Sequence, residues 1–153
     1  MLELPEAIVI AEQVETTLRG KRIKSVLANQ SPHKVAWFYG DPGGYDGLLS
    51  GQSIEGAMPC GVMVEIWAGA ARILLGDGVS LRYVPAGERP PSKHQLLIEF
   101  DDSSSLVGSV QMYGGLWAFP AGQFANPYYL IAKQKPSPLT DKFDYSHFET
   151  LLE

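Results

Sequence analysis

Apolar positions near the start of the chain recur at helical spacing. Ile8, Ala11, Val14 and Leu18 fall on one face, Pro5 suits a first turn, Glu3 and Glu6 stand at the positive end of the dipole, and Gly20 follows the last periodic residue. The pattern predicts an amphipathic helix from Leu4 to Leu18. Charged and apolar residues then alternate from Arg22 to Ala28, which predicts a strand. Val35 to Tyr39 reads as a short aromatic strand, Asp41 to Gly44 as a loop and Tyr45 to Leu49 as a short helix. From Gln52 onward come short β-rich runs separated by turn residues: SIEGAM, VMVEIWA, ARILLG, VSLRYV, HQLLIEF, SLVGSVQM and GLWAF. Runs at this spacing point to an antiparallel sandwich or barrel. Turns are expected at Gly76-Asp77-Gly78 and at Asp101 to Ser104, with a longer loop from Gly87 to Pro91. After Phe119 the pattern becomes irregular. Ser146 to Leu152 reads as the beginning of another helix, and a helix of that length ending on LLE has little to pack against, so the chain is expected to stop at a domain boundary.

Composition narrows the function classes. The 153 residues are 45% hydrophobic, enough for one domain with a real core. The net charge of −5 argues against strong nucleic-acid binding by this segment alone, because neutralising phosphates requires clustered Lys and Arg. The basic residues cluster locally at Arg19, Lys21, Arg22 and Lys24, with Lys34 a little further on. The lone cysteine, Cys60, excludes an internal disulfide and a Cys-cluster metal site, suits a reducing cytoplasm, and reads as a small, partly buried strand residue. With neither a charged-then-apolar leader nor a long apolar run, no membrane partner is expected.

Few motifs carry chemistry by themselves. Walker-type, HExxH, GxSxG and dinucleotide patterns are missing from the sequence. His33, His94 and His147 lack ligand spacing and read as surface or hydrogen-bonding residues; no metal and no small-molecule cofactor is expected. The pairs Gly43-Gly44 and Gly114-Gly115 read as turn or close-packing glycines, and Trp37, Phe38, Tyr39 and Trp117 as core rather than a base-stacking platform. Glu3 and Glu6 are explained by helix capping alone, until the rest of the chain is considered.

The opening MLELPEA is similar to the MPELPE opening of the formamidopyrimidine-DNA glycosylase and endonuclease VIII family, and the likeness continues in order. LRGKRIKSV resembles the strand after the family's first helix, LLGDGVSLRYVP its HLGMSGSLR segment, and KHQLLIEFDD its KHDHV strand and turn. QMYGGLW resembles RRFGAW, and KPSPLTDKFD resembles GPEPLSDEF, the stretch before the family's second domain. The resemblance spans essentially the whole chain. It implies a mainly β fold: a two-layer antiparallel β-sandwich with a long N-terminal helix and short flanking helices. Residues 1–135 would form that domain, and residues 136–153 a linker and the start of a C-terminal helical domain.

The resemblance also implies a base-excision-repair function acting on damaged double-stranded DNA, with glycosylase and abasic-site lyase chemistry. In the family the initiator methionine is removed and the exposed proline amine attacks the sugar C1′, while a neighbouring glutamate handles protons. An amine at a helix start is well placed for this, because the dipole disfavours its protonated form. Here Leu2 replaces the proline, so the amine belongs to Met1, and Met1, Leu2, Glu3 and Glu6 become the candidate catalytic set. Lys93 and His94 match the family's KH, whose histidine contacts the DNA backbone, and Met112 is a candidate apolar wedge. Other family positions change: the hairpin lysine aligns with Cys60, the histidine of HLGM with Leu74, the hole-filling methionine with Asp77, and the arginine pair with Gln111 and Met112. An acid at position 77 would repel phosphate. A structural zinc and much of the DNA grip would belong to the C-terminal domain, so weak DNA binding is expected of this segment. Two other readings remain: a paralogue that binds damaged DNA without cutting it, and a sandwich recruited to a non-DNA ligand through Trp37, Tyr39 and Tyr45.

Overall fold

In a computed structural model, residues 4–29 and 36–122 are described. The expected helix at Ser146 to Leu152, and the division at 135, lie outside them. Helix α1 spans Leu4–Leu18 as the periodicity predicts. Its buried face is Ala7, Ala11, Val14 and Leu18, with Ala7 in place of the expected Ile8, which is only half-buried. The two alanines bring the helix close to the sheet, where it packs on β3 (Ile54–Cys60) and β4 (Met63–Ala68). Gly20, at φ 88°, ends the helix in the left-handed conformation that glycine adopts without strain.

The remaining elements are β1 (Ile23–Ala28), β2 (Ala36–Trp37), a 3-10 turn at Pro42–Gly44, α2 (Tyr45–Leu49), β5 (Ala71–Val84), β6 (Leu96–Phe100) and β7 (Ser105–Pro120). The strands follow one hydrogen-bonded path, β1-β6-β7-β5-β4-β3, and β2 adds to β7 in parallel. Two layers arise because β5 and β7 belong to both. The end of β5 and the start of β7 pair with each other beside β6 and β1, whereas the start of β5 and the end of β7 pair beside β4 and β2. An isolated bridge between Arg22 and Ser53 joins the outer strands of the two layers. The architecture is mainly β, a two-layer antiparallel sandwich flanked by α1 and the short α2.

The structure corrects the sequence reading at one point that matters for function. ARILLG and VSLRYV are a single strand, as are SLVGSVQM and GLWAF, and Gly76-Asp77-Gly78 is not a turn. Asp77 pairs with Gly114 and Val79 with Val110, so Gly78 alone faces Gln111, Met112 and Tyr113. The chain resolves this mismatch as a bulge, which bends both strands together from one layer into the other. Only glycine fits at 78, where a Cβ would lie 2.3 Å from the Tyr113 carbonyl oxygen.

Burial follows the two faces of the second layer. Val64, Ile66, Ile73, Leu75, Leu116 and Ala118 face the main core with the α1 stripe. Alternate residues Leu74 and Phe119 join Cys60 in a smaller cluster on the opposite face, bordered by Tyr39, Met63 and Trp117. Tyr45, expected to be available to a ligand, is instead 2% exposed. Its hydroxyl accepts from the Tyr39 N–H at 2.7 Å and donates to the Leu116 carbonyl at 2.8 Å, tying the chain after β2 to β7. Burial pushes the Tyr45 hydroxyl pKa up, which keeps it a neutral donor.

Candidate nucleic-acid interface

The sequence candidates come from separated stretches, and the bulge brings three of those stretches to one end of the sandwich. The first is the start of α1. Glu6 is exposed in the first turn and lines a groove of about 330 Å³ between the helix and β5, with Ile10, Gln13, Thr17, Val79 and Ser80 among its other walls. The second is the bulge itself, since Val79, in that groove, pairs with Val110, the residue before Gln111. The third is the run before β6. Gln95 Oε1 accepts the Val110 N–H at 2.7 Å, and the Gln95 N–H donates to the Gly108 carbonyl at 3.0 Å. Gln95 is 2% exposed, so its carboxamide gives a buried partner to a backbone group at the point where the regular β5–β7 pairing breaks.

Lys93 and His94 therefore stand beside the bulge, although they do so differently. Lys93 is exposed, whereas His94 is 5% exposed. Desolvation lowers the His94 pKa, opposed by a hydrogen bond with its own backbone, and favours the neutral imidazole. Met112 is a bulge residue of β7, but its side chain lies outside the described set, as do those of Asp77 and Gln111 and the whole of Met1, Leu2 and Glu3. Cys60 is buried at 4% exposure. Among the described residues, no group of three or more His, Cys, Asp or Glu side chains could hold a metal ion, and no helix is long and apolar enough to cross a membrane.

The basic cluster after α1 is not an open cationic patch. Arg19 lies 3.7 Å from Glu15, Arg22 lies 3.8 Å from Asp101, and Lys21 is bound by Asp102 while its ammonium sits 5.6 Å from the centre of the Tyr83 ring. Three of its four cations thus face carboxylates at the end of the sandwich away from the bulge.

One feature of the interface was missed in the sequence. Trp37 is 42% exposed rather than buried, and its ring packs against Tyr113 with centroids 6.0 Å apart at 49°. The available signal was the aromatic run before a Gly-Asp-Pro-Gly loop, but that run alone does not say which ring faces out.

A long helix laid on a bent two-layer sandwich, with Glu6, the bulge and the Lys93–Gln95 run at the bend, is an arrangement shared with DNA-repair glycosylases. No protein-family profile matches the chain. Among curated proteins, the formamidopyrimidine-DNA glycosylase of Bordetella petrii is 28% identical over 148 residues, covering 94% of this chain and 52% of the relative. Among solved structures, MutM in complex with DNA containing carbocyclic 8-oxo-G superposes with a TM-score of 0.73 at 25% identity, covering 98% of this chain and 56% of that one. Lactococcus lactis formamidopyrimidine-DNA glycosylase, bound non-covalently to DNA containing an abasic site, gives 0.74 at 24% identity, with 98% and 57% covered. The chain is similar along nearly its whole length to the N-terminal half of formamidopyrimidine-DNA glycosylases (MutM), shares their N-terminal domain fold, and spans about half the length of the curated relative it matches.

Proposed function

We propose that the chain is the N-terminal half of a base-excision-repair protein that engages damaged double-stranded DNA at the bulged end of the sandwich. The observation that carries this reading is the convergence of Glu6, the bulge and the Lys93–Gln95 run on one end of a fold shared with DNA-bound relatives. In the enzymatic form of the reading, the amine of Met1 attacks C1′ of the damaged nucleoside. A Schiff base forms as the base leaves, and Glu3 or Glu6 carries protons. Lys93 supplies a cation to the phosphate backbone, and Met112 an apolar wedge. DNA is held weakly by this half alone, and further grip, with any structural zinc, belongs to a C-terminal domain of which residues 136–153 are the linker and start. The chain itself needs no cofactor, and a lone cysteine suits a reducing cytoplasm.

A second reading is a lesion binder without turnover. Leu2 favours it, standing where the family opening has the nucleophilic proline, as does Asp77 at the bend. Borohydride trapping on a duplex with an abasic site separates the two. A covalent adduct on the N-terminal peptide, reduced in Glu3→Gln, supports the enzyme. Binding in a mobility-shift assay without an adduct supports the lesion binder, and absence of both removes the DNA reading.

A further inference from the structure

Trp37 is the most exposed aromatic residue among those described, yet its backbone is firmly held. The two-residue strand β2 pairs with Gly114 and Gly115 of β7, next to the bulge. Two residues later the Tyr39 N–H is fixed by the buried Tyr45 hydroxyl, which is itself anchored on Leu116. A large ring is thus kept partly exposed beside Tyr113, with its position determined by the core. Glycine permits the arrangement: a Cβ at Gly115 would lie 2.0 Å from the Trp117 ring, so β7 carries a bare backbone where Trp37 pairs with it.

Ala36 pairs with Gly114 and packs against the main core, so Trp37, which pairs with Gly115, stands on the opposite face of the sheet. Stacking on an aromatic side chain tolerates every base, because each has a π-face. We infer that Trp37, backed by Tyr113, is a stacking platform for an unpaired base of damaged DNA. The inference rests on the DNA reading above and adds a contact residue that the sequence had assigned to the core.

The test uses the full chain and two fluorescein-labelled duplexes of one sequence, one intact and one with a single tetrahydrofuran abasic-site analogue opposite a normal base. Trp37→Ala is expected to weaken binding of the abasic duplex about tenfold, Trp37→Phe to retain most of it, and neither to change binding of the intact duplex. Quenching of intrinsic tryptophan fluorescence by the abasic duplex should disappear with Trp37. Equal binding of the abasic duplex by Trp37→Ala and the unmodified chain overturns the platform while leaving the DNA reading in place. Trp37→Phe distinguishes a lost ring from a disturbed strand: if it loses as much affinity as Trp37→Ala, the platform is overturned. If the unmodified chain binds neither duplex, the DNA reading falls and the platform with it.

Discussion

The two ends of the first layer are built on opposite principles. At the end reached by the C-terminus of α1, the backbone is stitched shut. Gly20 donates to the Ile54 carbonyl, Ile23 to Gln52, Gly51 to Ile23 and Asp101 to Arg22, all within 2.8–3.0 Å. Lys21 and Asp102 pair across the same end, and Ser104 donates to Asp102 through its N–H at 2.9 Å and through its hydroxyl. At the other end regular pairing gives way: one residue of β5 faces three of β7, a glutamine side chain replaces a backbone partner, and a tryptophan faces water. The candidate functional residues described here lie at the second end, while the cations of the basic cluster are engaged at the first. A closed end holds the sandwich together, so the bent end can depart from regular structure without loosening the whole.

This contrast can be broken by mutation, beginning with what both ends share. Leu18→Ala empties a side chain that is 1% exposed where α1 meets the sheet, and should cost about 3 kcal/mol in a denaturant titration. The bulged end should keep its geometry in the fraction that remains folded. Gly78→Ala should cost about 2–3 kcal/mol, because the new methyl meets a backbone carbonyl that cannot swing aside. Unlike Leu18→Ala, it should disturb amide resonances of residues 110–114 in the folded state. Gln95→Leu removes the partner of the Val110 N–H inside the protein and should cost about 2 kcal/mol, with faster hydrogen exchange at that amide.

A smaller effect is expected at the closed end. Lys21 first, then Ser104, hold the Asp102 carboxyl well below the usual carboxylate range. A depressed carboxylate stabilises the fold above its unfolded pKa and loses that contribution as pH falls through the folded value. The same pairing raises the Lys21 pKa, so its share persists through neutral pH and is lost only as alkali deprotonates it. Asp102→Asn should therefore lower the melting temperature at pH 7 by less than Gln95→Leu does, and the difference from the unmodified chain should vanish in strong acid. Because Asp102 is exposed, added salt should shrink the effect as well. The smallest change is expected for Trp37→Phe, within about 0.5 kcal/mol in stability, since the residue is partly exposed and phenylalanine keeps an aromatic ring there.

How far the sequence could be read depended on the range of the interactions involved. Helix α1 was legible to the residue because Pro5, the apolar stripe and Gly20 act locally. The turn at Asp101 to Ser104 and the short helix at Tyr45 to Leu49 were legible for the same reason. Gly76-Asp77-Gly78 misled, because the residues that favour a turn also permit a bulge. Which one forms depends on whether residues some thirty positions away, in β7, can stay in register on both sides. Tyr45 and Trp37 exchanged their expected roles in a comparable way. Trp37 lies in an aromatic run and Tyr45 at the start of a short helix, and only the placement of β2 on β7 decides that the tyrosine is pinned inside and the tryptophan left out.

By itself, then, the sequence determined the elements whose causes are near neighbours: the helix, its caps, the strands with their alternating faces, and the ordered motifs that relate the chain to the glycosylases. Only the tertiary structure decided that four runs are two bent strands, that three of the four cations of the basic cluster face carboxylates, and that Glu6, Gln95 and the 111–113 bulge share one end. Those outcomes depend on register and pairing between distant segments, and a local pattern of apolar and polar residues carries no record of which distant segment will be its partner.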